Sequence, residues 1–173
     1  IKPLARARAD RDRIYACIVG SGAAHGGRAM SLTTPSPVGI RTAISQAFRT
    51  AGLEPATVDY VEAHGTASPM SDAIEINALS AAYGDPDEIP TPCVIGCLKP
   101  VIGHGEVVSG LSAVVKVILA LRHRTLPGLP RFGALNDEIE QEGSRLLFPV
   151  ESRPWGSPRD AQGRLRPRRA AVN

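Results

Sequence analysis

Residues 58–79, VDYVEAHGTASPMSDAIEINAL, constrain the fold more than any other stretch, because they pass from an apolar strand through a histidine-glycine turn into a helix with no residues to spare. Val58, Tyr60, Val61 and Ala63 read as a buried strand over 58–63. Gly65 permits a tight exit, and residues 68–72 carry hydroxyl and carboxylate groups that can cap a helix over 73–82. Such a turn leaves one side chain, here His64, at the end of a sheet, where α/β proteins place their chemistry.

A second stretch, residues 93–123, repeats the plan with a strand over 93–98, a glycine-flanked histidine at His104 and a helix over 109–123. One histidine on such a turn reads most simply as structural, satisfied by backbone groups. Two in parallel settings point to a shared site.

The rest of the chain alternates in the same way. Residues 14–19 are β-branched and apolar and predict a buried strand ending at Gly20; a loop rich in glycine, hydroxyls and proline follows through 31–37. Ile40, Ala43, Ile44, Ala47 and Phe48 fall at helical spacing over 38–51, and Gly52 stops that helix. A polar loop over 84–92 precedes the second strand, which Pro100 ends. The 109–123 helix is apolar almost all round, as in an element buried between layers. Beyond a proline-rich exit, the acidic 137–142 stretch reads as a solvated turn or short helix and 145–150 as a strand. Residues 151–169 read as an exposed loop anchored by Trp155, and 170–172 begin another strand. The alternation is that of an α/β protein with parallel pairing at its core.

Composition excludes several classes. With 43% hydrophobic and 21% charged residues the chain is globular. The net charge of +3 comes largely from Arg6, Arg8, Arg11 and Arg13 at one end and Arg159, Arg164, Arg166, Arg168 and Arg169 at the other. These read as solvated surface, or as a patch that steers an acidic partner, and lack the aromatic interleaving of a nucleic-acid site. Cys17, Cys93 and Cys97 fit neither a disulfide framework nor a metal knuckle. No signal segment is visible, and the longest apolar run is too short for a bilayer, so a cytoplasmic location is expected.

VEAHGTASPMSDAIE and LKPVIGHGEVVSG together resemble the two histidine motifs of the β-ketoacyl synthases of fatty-acid and polyketide synthases, VEAHGTGT-x-x-GDPIE and VK-x-NIGH-x-E-x-x-x-G. The opening 37 residues are similar to the segment leading into the first motif, and RPRRAAVN to the approach to the family's glycine-rich SFGFGGTN. The resemblance covers nearly the whole chain in order, and two long motifs in register are far more specific than a glycine pattern.

The resemblance implies a thiolase-like fold, layered α-β-α-β-α, of which residues 1–173 would be a partial ketosynthase domain, mainly its C-terminal half. It implies a decarboxylative Claisen condensation: an acyl group loaded on a cysteine is attacked by the carbanion left when a malonyl-type extender on acyl carrier protein loses carbon dioxide. His64 and His104 match the catalytic histidines, which would donate N–H bonds to the enolate oxygen. Lys99 matches the family lysine and Glu106 the acid after the second histidine, and an ion pair between them is expected. Thr66 and Ser68 stand at the hydroxyl positions that would hold the phosphopantetheine arm, Ser68 being equally explained as a helix cap. Asp72 and Glu75 match structural acids, read as helix-start and packing residues.

No intrinsic cofactor or metal is implied. The implied partners are acyl carrier protein and the nucleophile-bearing N-terminal half, with a homodimer when complete, and neither nucleic acid nor membrane. Departures are Val101 for the asparagine of NIGH, Ala67 and Ser71 for glycines, and Ala73 for a proline. Nothing resembles the family's nucleophile context, and none of the three cysteines has the helix-start setting that lowers a thiol's pKa. The chain therefore reads as an incomplete enzyme, inactive alone. A non-catalytic ketosynthase-like module binding acyl carrier protein is the alternative, and a thiolase fits less well.

Overall fold

The computed structural model describes residues 1–27, 31, 34–84, 91–160 and 162–173. Parts of the loops expected at 31–37, 84–92 and 151–169 lie outside the described residues.

After a short helix α1 (Leu4–Ala9), four parallel strands make the central sheet, in the order β4 (Leu146–Leu147), β2 (Cys93–Gly96), β1 (Tyr60–Glu62) and β6 (Ala170–Val172). Strand β1 is central, pairing Tyr60 with Val94 on one side and Ala170 on the other. Side chains alternate along it. Val61 and Ala63 face α3 (Pro69–Tyr83), with Ile76, Leu79 and Tyr83, and α2 (Pro37–Ala51) adds Ile44 and Phe48 to that cluster. Tyr60 and Val94 face the other way, onto Val117 and Ala120 of α5 (Ser109–His123) and onto Trp155. The result is helix, parallel sheet and helix in three layers, as the alternation implied.

The two long helices on the first face are capped as the sequence dictates. Ser36 accepts from Gly39 N at 3.1 Å ahead of α2, and Gly52 closes it at φ +61°. Helix α3 begins four residues earlier than expected, because Ser68 is the N-cap and Pro69 takes the first helical position, where its missing N–H costs nothing.

Several expectations are corrected. Residues 14–19 form no strand: among the described residues no neighbour pairs with them, and Ile14, Tyr15, Ile18 and Val19 are exposed. The guanidinium groups of Arg13 and Arg122 instead lie over the Tyr15 ring, 5.3 and 5.5 Å from its centroid. Gly20 and Gly22 then lie flat on α2, where a Cβ would strike the carbonyls of Ala47 and Ala43. Strand β2 stops at Gly96, and Pro100 enters the short helix α4 (Lys99–Ile102) instead of ending a strand. The strand expected over 145–150 shrinks to Leu146–Leu147 ahead of Pro149, which has no N–H for a ladder.

Helix α5 buries only one side, leaving Leu111, Val115 and Leu119 exposed. Its apolar second face was expected to be covered. Residues 137–142 are turns. The expected loop over 151–169 contributes β5 (Arg153–Pro154), antiparallel to β3 (Thr125–Leu126), with Trp155 4% exposed as its anchor.

The terminal arginines are not all solvated. Arg166 grips Asp59 with Nη2 at 2.6 Å and Nη1 at 3.2 Å, both side chains nearly buried, and Arg168 Nε donates to Trp155 O at 2.9 Å. Arg145 is 4% exposed and pairs with no carboxylate among the described residues. It donates instead to four carbonyls, those of Tyr83, Thr91, Pro55 and Val58, tying the ends of α3, β1 and β2 together. Burial lowers its pKa, and the carbonyl dipoles are what keep the charge tolerable.

Candidate active site

Strand β1 delivers His64 to the C-terminal edge of the sheet, where the chain must turn sharply into α3. Glu75, reaching back from α3, accepts from His64 N at 2.7 Å and Gly65 N at 2.8 Å, and Asp72 accepts from Thr66 N at 2.9 Å. Gly65 sits at φ +46°, and a Cβ there would stand 2.8 Å from Cys97 Sγ, so glycine is required on two counts. Ala67, in place of the family's glycine, is held at φ +61°, a left-handed conformation that a Cβ disfavours. Ser68 Oγ accepts from Ser71 N at 3.4 Å, so its capping role is realised. The Thr66 hydroxyl has no hydrogen-bond partner among the described residues.

Strand β2 delivers the second turn alongside the first, because β1 and β2 are parallel neighbours. After α4 and Gly103 at φ +80°, His104 faces His64 edge to face, with ring centroids 5.6 Å apart and planes at 83°. His104 Nδ1 accepts from Glu106 N at 2.9 Å and lies 3.1 Å from Ser109 Oγ. A backbone N–H can only donate, so Nδ1 must be the acceptor, Ser109 must donate too, and the ring proton belongs on Nε2. Glu106 presents that N–H from φ +49°. Its part is therefore played by the backbone.

Lys99 does not pair with Glu106, correcting the expected ion pair. Its Nζ donates to the His64 carbonyl and lies 3.4 Å from His64 Nδ1. An ammonium has donors only, so His64 Nδ1 also faces a donor and its proton also belongs on Nε2. Partial burial lowers the His64 pKa first and the Lys99 charge second, with His104 adding to them and Glu75 and Asp72 opposing. The site thus holds a neutral His64 imidazole.

Beneath the turns lies a pair that sequence reasoning missed. Glu62, 1% exposed, meets Lys116 Nζ at 2.6 Å and accepts from Tyr60 Oη at 2.5 Å, and burial chiefly raises the pKa of that phenol. Gly96 makes room, since a Cβ there would stand 1.8 Å from the Tyr60 hydroxyl oxygen. The signal was a glutamate in a strand buried on both faces and a lysine in an otherwise apolar helix. A cleft between this pair and the histidine turns is lined by Glu62, His64, Lys99, Ser109, Ser112 and Asn173, among others.

Two of the three cysteines are buried. Burial pushes the Cys93 thiol up to about 12 and raises that of Cys97, whose Sγ lies under the His64 turn, 3.5 Å from Gly65 O. Cys17 is exposed on the extended N-terminal segment. Among the described residues no helix is long and apolar enough to cross a membrane.

The chain matches the family described as "Beta-ketoacyl synthase, C-terminal domain" over residues 15–132. It is 50% identical to the polyketide synthase ThaG of Burkholderia thailandensis and 46% identical to the polyketide synthase PksR of Bacillus subtilis, each over the whole of this chain. It spans only 3% and 7% of those proteins respectively. Among solved structures it is similar to the ketosynthase from module 6 of the bacillaene synthase of Bacillus subtilis 168, with a TM-score of 0.87 and 37% identity. An oxazolomycin ketosynthase domain from Streptomyces albus JA3453 gives a TM-score of 0.91 and 34% identity. Both comparisons cover 99% of this chain and 30% of the other.

Proposed function

The chain belongs to the β-ketoacyl synthase family, whose thiolase-like layers its own three layers reproduce in part, and we propose that it carries the enolate-stabilising portion of a polyketide condensing site. The observation that carries this reading is the facing pair of imidazoles, 5.6 Å apart, each with Nδ1 turned to a donor and Nε2–H left to donate.

In the proposed reaction the bond between the extender's α-carbon and its carboxylate breaks, carbon dioxide leaves, and the electron pair passes into the thioester as an enolate. Nε2–H of His64 and of His104 hold the charge on the enolate oxygen, and the α-carbon then attacks an acyl thioester on a cysteine, whose sulfur leaves with the electron pair. Preorganised donors of this kind are strongest in a site that excludes water, because they need no reorganisation as charge develops. Lys99 fixes the His64 ring and keeps it neutral, so that it donates a hydrogen bond without surrendering a proton. The Thr66 hydroxyl is free to meet a phosphopantetheine arm, and Ser68 retains its own proton to donate while it caps α3.

The nucleophile is proposed to come from further ketosynthase sequence. Burial raises the Cys93 and Cys97 thiols above their ordinary range, and the exposed apolar residues Leu111, Val115 and Leu119 of α5, with Val107 beside His104, offer a surface for that sequence to cover. Its delivery partner would be an acyl carrier protein. The test is intact-mass analysis after incubation with an acyl-carrier thioester: the chain should stay unmodified alone and take part in loading and condensation when a nucleophile-bearing ketosynthase half is co-expressed. Stable acylation of Cys17, Cys93 or Cys97 on the chain alone would overturn it.

A further inference from the structure

Glu62 is satisfied on one side only. Its two donors, Tyr60 Oη at 2.5 Å and Lys116 Nζ at 2.6 Å, both meet Oε2, while the buried Oε1 has no partner among the described residues. A buried carboxylate oxygen is costly unless a donor reaches it. Glu62 lines the cleft beneath the histidine turns, so a donor can come from there. The hydroxyls on the same wall cannot supply it. Ser109 Oγ must give its proton to His104 Nδ1, and Ser112 Oγ donates to Val108 O at 3.0 Å. Each hydroxyl has one proton, so both keep only lone pairs for the cleft. Lys99 and Asn173, which also line it, are engaged by His64 and by Glu75 and do not reach Oε1. Three acceptors thus border one small space, and its occupant must be a donor. The cavity volume is about 30 Å³, room for one or two waters at ~10–15 Å³ each and for nothing the size of a substrate chain. Lys116 already neutralises Glu62, so the occupant needs no charge.

We propose that the cleft holds a structural water that donates one proton to Glu62 Oε1 and the other to Ser109 Oγ, and that through this bridge Ser109 is a positioning residue for His104. A hydroxyl oxygen that accepts from water has its own O–H polarised and turned away from that water, here onto Nδ1. His104 Nδ1 is then held between two donors, the Glu106 amide and the Ser109 hydroxyl, and the ring proton stays on Nε2. In this way the buried Glu62–Lys116 pair acts on an imidazole that it does not itself bond. The consequence for condensation rests on the reading of His104 as an enolate donor; the water bridge does not.

The experiment is NMR of the 173-residue chain, reading water-to-protein cross-peaks at Glu62 and Ser109 together with the ring-nitrogen resonances of neutral His104. The wild-type chain should show a long-lived water in contact with both side chains, and an Nδ1 resonance upfield of a free imine nitrogen. S109A removes the hydroxyl and keeps the Glu106 amide, so Nδ1 should move downfield with the proton still on Nε2; S109T restores a hydroxyl and should bring Nδ1 back. E62M combined with K116M removes the far end of the bridge without stranding a charge. The water contact at Ser109 should then be lost, and Nδ1 should move in the same direction as in S109A by a smaller amount, which a serine that merely packs would not produce. A wild-type chain without a long-lived water at Glu62 and Ser109 overturns the proposal, and so does a folded double variant with Nδ1 at its wild-type position. Should the double variant fail to fold, S109A decides, and an unmoved Nδ1 there overturns it. None of these readings needs turnover, so condensation that survives loss of the His104 ring would count against the functional reading and leave the water bridge standing.

Discussion

Lys99 Nζ lies 3.4 Å from His64 Nδ1 and donates to the carbonyl of the same residue, so the lysine serves the first histidine and not the acid beside the second. Its positive charge disfavours the imidazolium and helps lower the His64 pKa. K99M should therefore raise the His64 titration toward the ordinary value of about 6.5. The sign for stability follows. A histidine held neutral in the fold contributes no penalty above its unfolded pKa, and stability falls as pH drops through its lowered folded value. K99M should weaken that acid sensitivity, and NMR titration with denaturation at several pH values checks both. An unmoved His64 titration would break the Lys99 assignment.

Double-mutant cycles should separate the two charge pairs. Lys99 and Glu106 share no contact and should behave additively. Lys116 and Glu62 should couple, because K116M leaves a buried carboxylate without its counter-ion, a loss of about 3–5 kcal/mol. Replacing both with apolar residues should be milder than K116M alone. Additivity at Glu62 and Lys116 in chemical denaturation would contradict the buried pair.

Arg145 should be among the most sensitive positions in the chain. R145A strands four carbonyls, and with about 1–3 kcal/mol for each buried polar group left unsatisfied, a loss of about 3 kcal/mol or more is expected even after water repairs some of them. Equilibrium denaturation reads this directly, and a loss under about 1 kcal/mol would mean that the clamp is not needed.

The reach of the sequence differs from element to element. The parallel sheet, two helix caps and the meeting of two histidine turns were legible, because apolar runs, Ser68 and Gly52 act locally and the two motifs share one strand-turn-helix plan. What was not legible depends on partners far along the chain. Residues 14–19 have strand composition, but a strand needs a neighbour, and none among the described residues pairs with them. Lys99 and Glu106 stand close in sequence and look like a pair, yet the turn at Gly103 sends them apart, while Lys116 crosses to Glu62, 54 residues away. Arg145 was read as the start of a strand because nothing in its neighbours announces four carbonyls gathered from three other segments.

Ala67 offers a small gain. At φ +61° its Cβ is strained by about 1–2 kcal/mol, and the extra chain entropy of glycine offsets about 0.5–1 of that. A67G should stabilise the chain by up to about 1 kcal/mol, seen as a higher denaturation midpoint at unchanged slope. A drop in midpoint would show that the alanine methyl is packed to advantage.

The central claim is that His64 and His104 hold the enolate, and it is tested most directly by H64A in the assembled, acyl-loaded ketosynthase, with loading followed by intact mass and malonyl decarboxylation by release of carbon dioxide. Loading should persist, while decarboxylation and condensation fall about a hundredfold to a thousandfold, the usual cost of removing one such donor. Decarboxylation and condensation at wild-type rates in H64A would contradict the account.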